Sequence, residues 1–119
     1  MLWIYFFKDF TVNFICNIKC KVIYSYLTGQ ADQIRRSSRS VCSNIAEAYR
    51  KRIYPKHFVS KISDADSEAS ETLVWIDFSK DCKYISDNIY NSLTERYSEV
   101  GKMLGGMEKY PEKFIPNNY

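Results

Sequence analysis

An all-α fold, an antiparallel up-and-down four-helix bundle, is predicted by three features of this 119-residue sequence. Apolar residues recur at steps of three and four over four long segments. Gly and Pro, the residues that punctuate turns, number only four and three. Short connections separate the segments, and short connections set successive helices antiparallel. A chain of this size buries one core and does not divide in two, so residues 1–119 are expected to form a single domain.

The first segment, about 8–27, carries Phe10, Phe14, Ile18, Val22 and Tyr26 at four-residue steps. Thr28-Gly29 is its expected stop, since Gly takes the left-handed conformation that closes helices. The second, about 31–52, has an apolar stripe of Ile34, Val41, Ile45 and Ala48. Its small residues Ser37, Ser38, Cys42 and Ala46 let a neighbouring helix approach closely. Pro55 opens the third segment, about 55–84, at the position where its missing N–H costs nothing. Phe58, Ile62, Ala65, Ala69, Leu73 and Ile76 form its main stripe, and Val74, Phe78, Cys82 and Ile85 a second. A helix apolar on two sides is wedged between more than one partner. Ser86 is the expected cap of the fourth segment, 87–109, with Asp87 favourable against the helix dipole. Ile89, Leu93, Tyr97, Val100, Leu104 and Met107 make a nearly heptad seam there. Gly101 and Gly105 each cost about 1 kcal/mol relative to Ala in a helix interior, so their spacing predicts a face approached by another backbone. Pro111 ends the helix and leaves 110–119 as a tail.

Hydrophobic content of 45% with 26% charged residues excludes general disorder. Ten Tyr and seven Phe exceed what so small a core can enclose, which predicts that some rings face a partner copy. Cys16, Cys20, Cys42 and Cys82 lack zinc-site spacing, so no metal is expected and they read as small buried thiols of a reducing compartment. The opening MLWIYFF is too short, and too poor in positive charge, for a signal peptide. Lys19 and Lys21 interrupt the only long apolar stretch that follows, so no membrane span is expected. The predicted setting is cytoplasmic.

The net charge of +3 conceals a division. Arg35 to Lys61 holds eight bases against one acid, and Ile62 to Glu99 three bases against nine acids. Such blocks neutralise each other within a fold or show opposite faces to partners. Arg35 or Arg36 is accordingly expected to pair with Asp64, Glu68 or Glu71. Arg39, Arg50, Lys51, Arg52, Lys56 and Lys61 are the candidates for an outward nucleic-acid patch. Ser38, Ser40, Ser43 and Asn44 supply hydrogen bonds suited to phosphate, and Tyr49 and Tyr54 supply rings that could stack on bases. The carboxylates Asp64, Asp66, Glu68, Glu71 and Asp77 read as a solvated or salt-bridged face, because a di-iron bundle needs two histidines and His57 is the only one. No catalytic residue is assigned and no cofactor is expected, as phosphate loops and nucleophile elbows are missing.

The stretches QIRRSSRSVCSNIAEAYRKR (33–52), YPKHFVSKISDADSEASETLVWIDF and VGKMLGGMEKYPEKF carry a resemblance. Over about residues 30–116 the chain resembles the four-helix bundle proteins first noticed as open reading frames in intervening sequences of bacterial large-subunit ribosomal RNA genes. The wording is closest to the branch common in Bacteroidetes. Gln33, Arg35, Arg36, Asn44 and Glu47 match the family pattern and fit buried or interface pairing as well as ligand binding; Ala48 stands where many relatives have Gly. The resemblance implies a ring-like homopentamer. It also implies kinship with basic accessory proteins of diversity-generating retroelements, which bind nucleic acid and a reverse transcriptase.

Together these observations predict a non-enzymatic oligomeric bundle that binds RNA or DNA through a basic patch. A protein-interaction scaffold without nucleic acid, with a reverse-transcriptase-like or other protein partner, is the alternative. A third reading is an RNase, because Arg52 and His57 share the R-x4-H spacing of HEPN-type bundles; Ile53 and Pro55 between them depart from that motif.

Overall fold

The computed structural model describes residues 28–117. The segment predicted at 8–27, with Cys16 and Cys20, lies outside the described residues, and the four-helix count rests on it. Three helices follow: α1 (Thr28–Arg50), α2 (Pro55–Asp81) and α3 (Asp87–Lys109), then a 3-10 turn at Pro111–Phe114. No strand occurs among the described residues.

The middle helix α2 packs against both α1 and α3. Its contacts run in opposite directions along the chain: Arg36, early in α1, meets Glu68 and Glu71, whereas the later Glu47 meets the earlier Lys61. On the other side Asp77 bonds Tyr90, while Asp66 lies beside Gly101. Both helix pairs are therefore antiparallel, as connections this short require.

Val41, Ile45 and Ala48 from α1 meet Phe58, Ile62, Ala65, Ala69 and Ile76 from α2, and Leu93, Tyr97, Val100, Leu104 and Met107 from α3. The α3 seam matches its predicted row, with Ile89 half-buried at the start. On α2 the inward row departs from the prediction. Leu73 is only half-buried, and Thr72 and Ser79 take the inward positions. A one-residue step turns a side chain by about 100° around a helix. The hydroxyls tolerate burial because each bonds a carbonyl four residues back: Thr72 to Glu68 O and Ser79 to Trp75 O, both at 2.8 Å. Ser37 and Ser38 are fully buried, which gives the close helix approach expected of small residues.

Caps explain the helix ends. Ser86 Oγ accepts the Ile89 N–H at 3.3 Å, and Pro55 occupies the first turn of α2. α1 ends at Arg50, two residues before the predicted boundary, where Lys51 N–H is shared between Glu47 O and Ala48 O. α2 stops at Asp81 rather than Tyr84 because Lys83 enters the left-handed region at φ 59°. Tyr84 N–H then bonds Ser79 O at 2.9 Å and Lys83 N–H bonds Lys80 O at 2.8 Å, a Schellman closure with Lys in the place of the usual Gly.

Four local expectations are corrected. Thr28 and Gly29 are the first residues of α1, which starts three residues ahead of the predicted 31, and no described glycine has positive φ. Among the described residues a Cβ at Gly101 would meet only Asp66 Oδ1 at 3.9 Å and one at Gly105 nothing, so no described backbone comes close. The sequence after Tyr110 is not a mere tail, since Phe114 stacks on Phe58 with ring centroids 5.3 Å apart. Cys42 is half-buried but Cys82 is exposed, because α2 ends just before it. The second apolar strip of α2 is also largely uncovered, with Val74 50% and Phe78 49% exposed.

Candidate nucleic-acid interface

The basic block of the sequence separates into consumed and outward charges. Arg36 is consumed. Its Nε donates to Gln33 Oε1 at 3.2 Å, and its guanidinium bridges to Glu68 at 3.3 Å and to Glu71 on α2. The Glu71 carboxyl is held below the ordinary glutamate value by Arg36 first, then by the Trp75 indole N–H, which donates to it at 3.3 Å. The same pairing raises Arg36. Arg35 turns the other way and pairs with Asp32 within α1, and its Nε is buried without a hydrogen bond. The predicted cross-helix arginine is therefore Arg36, not Arg35.

Lys61 is also engaged, 2.9 Å from Glu47 on α1 and 3.6 Å from Asp64. Glu47 is lowered by Lys61, with a smaller contribution from Lys51, and Lys61 is raised by Glu47. Of the motif residues, Gln33 positions Arg36 and Glu47 links α1 to α2, while Asn44 donates to Ser40 Oγ at 3.3 Å within α1.

The remaining cations fall in two places. Arg39 is exposed on the outer side of α1, in an open groove of about 580 Å³ shared with Asp32, Arg35, Arg36, Ser40 and Ser43. Arg50, Lys51 and Lys56 are exposed around the α1–α2 turn. Eleven residues of helix separate Arg39 from Arg50, a rise of about 17 Å. Arg52 belongs to the turn but lies over the Tyr49 ring at 3.9 Å and donates to Tyr49 O at 2.7 Å. It thereby closes the carboxyl end of α1, where the dipole favours a cation. His57 is exposed and meets Tyr54 edge-on, with centroids 6.0 Å apart. Arg52 thus engages Tyr49, whereas His57 engages Tyr54.

A group of residues at the same end escaped the sequence reading. The Phe58–Phe114 stack folds the chain after α3 back onto the start of α2. That places Lys109, Tyr110 and Lys113 at the end of the molecule that holds the α1–α2 turn. Lys113 Nζ is 4.4 Å and Lys109 Nζ 5.4 Å from the Tyr110 ring centroid. Phe114, an aromatic residue three positions beyond a helix-ending proline, was the available signal.

The acidic block is partly paired. Besides Asp64, Glu68 and Glu71, Asp77 accepts the Tyr90 hydroxyl at 2.8 Å, which raises that phenol, and Lys80 lies 4.1 Å from the same ring. No carboxylate, cysteine or histidine group among the described residues is arranged to hold a metal ion. No described helix is long and apolar enough to cross a membrane.

Comparison with known proteins gives two matches. A family model described as 23S rRNA-intervening sequence protein matches residues 11–106, reaching well upstream of the motifs that begin near residue 30. A crystal structure from Bacteroides thetaiotaomicron, of a protein with unknown function from the S23 ribosomal protein family, is 29% identical with a TM-score of 0.75. The alignment covers 87% of this chain and 98% of that one. No curated protein matches the sequence.

Proposed function

The chain belongs to the 23S rRNA-intervening sequence protein family, and from that premise we propose that it is a non-enzymatic, oligomeric bundle that binds RNA or DNA. The finer reading, a four-helix bundle assembled as a ring-like homopentamer, is part of the same proposal. The observation that carries the nucleic-acid reading is the sorting of charge. Arg36 and Lys61 are neutralised across the α1–α2 interface, while Arg39, Arg50, Lys51 and Lys56 stand exposed with no ion pair among the described residues. Unpaired surface cations are what phosphate neutralisation needs, and a ring would repeat them with a gain in avidity.

The protein-scaffold reading draws on a different surface, the exposed Val74 and Phe78 with the half-buried Trp75 between them. One experiment separates the two. Binding to a structured RNA and to duplex DNA is measured by fluorescence anisotropy over a salt series. Wild type is expected to bind both, with affinity falling steeply as salt rises. Replacing Arg50, Lys51 and Lys56 together by Ala should weaken binding and flatten the log–log slope by roughly 0.7–0.9 for each phosphate that is no longer neutralised. No retention at about 50 mM salt, where the phosphate contribution is strong, leaves the scaffold reading.

A further inference from the structure

We infer that the end of the bundle formed by the α1–α2 turn and the chain after α3 is a stacking platform for single-stranded nucleic acid. Tyr54 and Tyr110 are its base-contacting rings. The inference rests on the nucleic-acid reading above and narrows its substrate class.

The geometry begins with Phe58 and Phe114, stacked at 5.3 Å and 24° between ring planes. Tyr54 lies four residues before Phe58, immediately ahead of α2, and Tyr110 lies four residues before Phe114, immediately ahead of the 3-10 turn. Four residues advance about 6 Å along an α-helix and about 8 Å along a 3-10 helix, so the stack holds both tyrosines at one end of the molecule. Both are exposed where most large apolar side chains are not, Tyr54 at 59% and Tyr110 at 41%. Neither phenol makes a hydrogen bond among the described residues, and neither ring belongs to the core.

Charge surrounds these rings. Arg50, Lys51 and Lys56 flank Tyr54, and Lys109 and Lys113 flank Tyr110, against the carboxylates Glu108 and Glu112 on the Tyr110 side. Alternating cations and open rings suit a strand whose phosphates and bases alternate, whereas a duplex keeps its bases stacked internally and offers an exposed tyrosine nothing to cover. The two lysines over Tyr110 do not block a base. An exposed cation–π contact contributes about 0.5–1 kcal/mol, less than the roughly 1–3 kcal/mol of base–aromatic stacking, and each displaced ammonium is freed to meet a phosphate. Tyr54, 59% exposed, meets the His57 ring near-perpendicularly at 6.0 Å between centroids.

The test uses the full chain and labelled 20-nucleotide probes: an unstructured RNA strand, the DNA strand of the same sequence, and the corresponding duplex DNA. Wild type is expected to prefer the single strands. Tyr54→Ala and Tyr110→Ala should each weaken single-strand binding by about 5- to 100-fold while duplex binding shifts less than about twofold. Tyr54→Phe and Tyr110→Phe, which keep the rings, should bind like wild type. Tyr54→Trp adds a spectroscopic readout, with indole fluorescence quenched by either single strand and not by the duplex. Retention of one strand type and not the other assigns the platform to RNA or to DNA. Equal binding of strand and duplex, unaltered by both alanine variants, overturns the platform and leaves the general basic-patch reading standing. A wild-type protein that binds none of the probes overturns both. Circular dichroism melting of each variant, expected to match wild type at these exposed positions, separates a stacking defect from a folding defect.

Discussion

The hydroxyls of Ser37 and Thr72 are hydrogen-bonded at 2.8 Å across the α1–α2 interface, both completely buried. They form a buried polar contact between the two helices, and the alternatives open to Ser37 are poor, since Ile34 O is 3.4 Å away. A buried hydroxyl without a good partner costs about 1–3 kcal/mol, whereas removing both partners with apolar groups of similar shape is close to neutral. Thr72→Val is therefore expected to destabilise by about 1–3 kcal/mol, and adding Ser37→Ala should recover part of that stability. Urea unfolding of the double-mutant cycle reads the coupling; strictly additive effects would show that the hydrogen bond has no energetic content.

Leu104 is fully buried and Leu73 only half-buried, although their sequence patterns are alike. Leu104→Ala should cost about 2–5 kcal/mol, the range for a cavity in a packed core. Leu73→Ala should cost clearly less, because its site is already partly open to solvent. Equal midpoints in urea for the two variants would contradict the inward row described for α2.

Lys83 holds a left-handed conformation that closes α2, at φ 59°. A residue with a Cβ pays about 1–2 kcal/mol for that conformation and Gly does not, although Gly gains entropy in the unfolded chain. Lys83→Gly is expected to raise stability by up to about 1 kcal/mol, visible as a higher melting temperature, while Lys83→Val lowers it. A destabilising glycine there would contradict the Schellman closure.

The ion pairs between α1 and α2 predict an acid-sensitive fold. Glu71 and Glu47 are held below the ordinary value of 4.5, so the unfolded chain takes up protons first as pH falls. Their contribution is complete above 4.5 and is lost as pH drops through the folded-state values. Lys61 is raised above 10.5, so its own contribution is complete below that pH and lost only above it. All these groups are exposed enough for solvent to screen them, and about 1 M salt, with a Debye length near 3 Å, should weaken them further. Melting temperature followed from pH 6 to pH 3 should fall less in the variant carrying Arg36→Met and Lys61→Met than in wild type. Parallel curves would locate the acid sensitivity elsewhere.

The exposed strip of α2 is where the proposed assembly can be broken without touching the core. Val74 and Phe78 are about half exposed and lie one helical turn apart. Light scattering of wild type is expected to give a mass near five chains. Phe78→Glu should lower that mass while the helical circular dichroism spectrum is kept. An unchanged mass for Phe78→Glu and for Val74→Glu would move the interface to another face.

The sequence alone determined the three described helices and most of their inward rows. Hydrophobic periodicity is a local property that any helix must display on its buried side, so the α3 seam from Leu93 to Met107 was legible residue by residue. Ser86 and Pro55 were legible for a similar reason: a cap satisfies backbone groups within its own turn. Tertiary structure decided whatever depends on the rotation of one helix against another. Arg35 and Arg36 are adjacent and chemically identical, yet about 100° of helix rotation sends one to Asp32 and the other to Glu68 and Glu71. The same rotation exchanged Leu73 for Thr72 at the core, and antiparallel register consumed Lys61 while leaving Lys56 exposed. The candidate site was half legible, because Arg50, Lys51 and Tyr54 are neighbours in sequence. Lys109, Tyr110 and Lys113 join that end of the molecule through the stacking of Phe58 on Phe114, 56 positions apart in the chain, and no local pattern encodes a pairing at that separation.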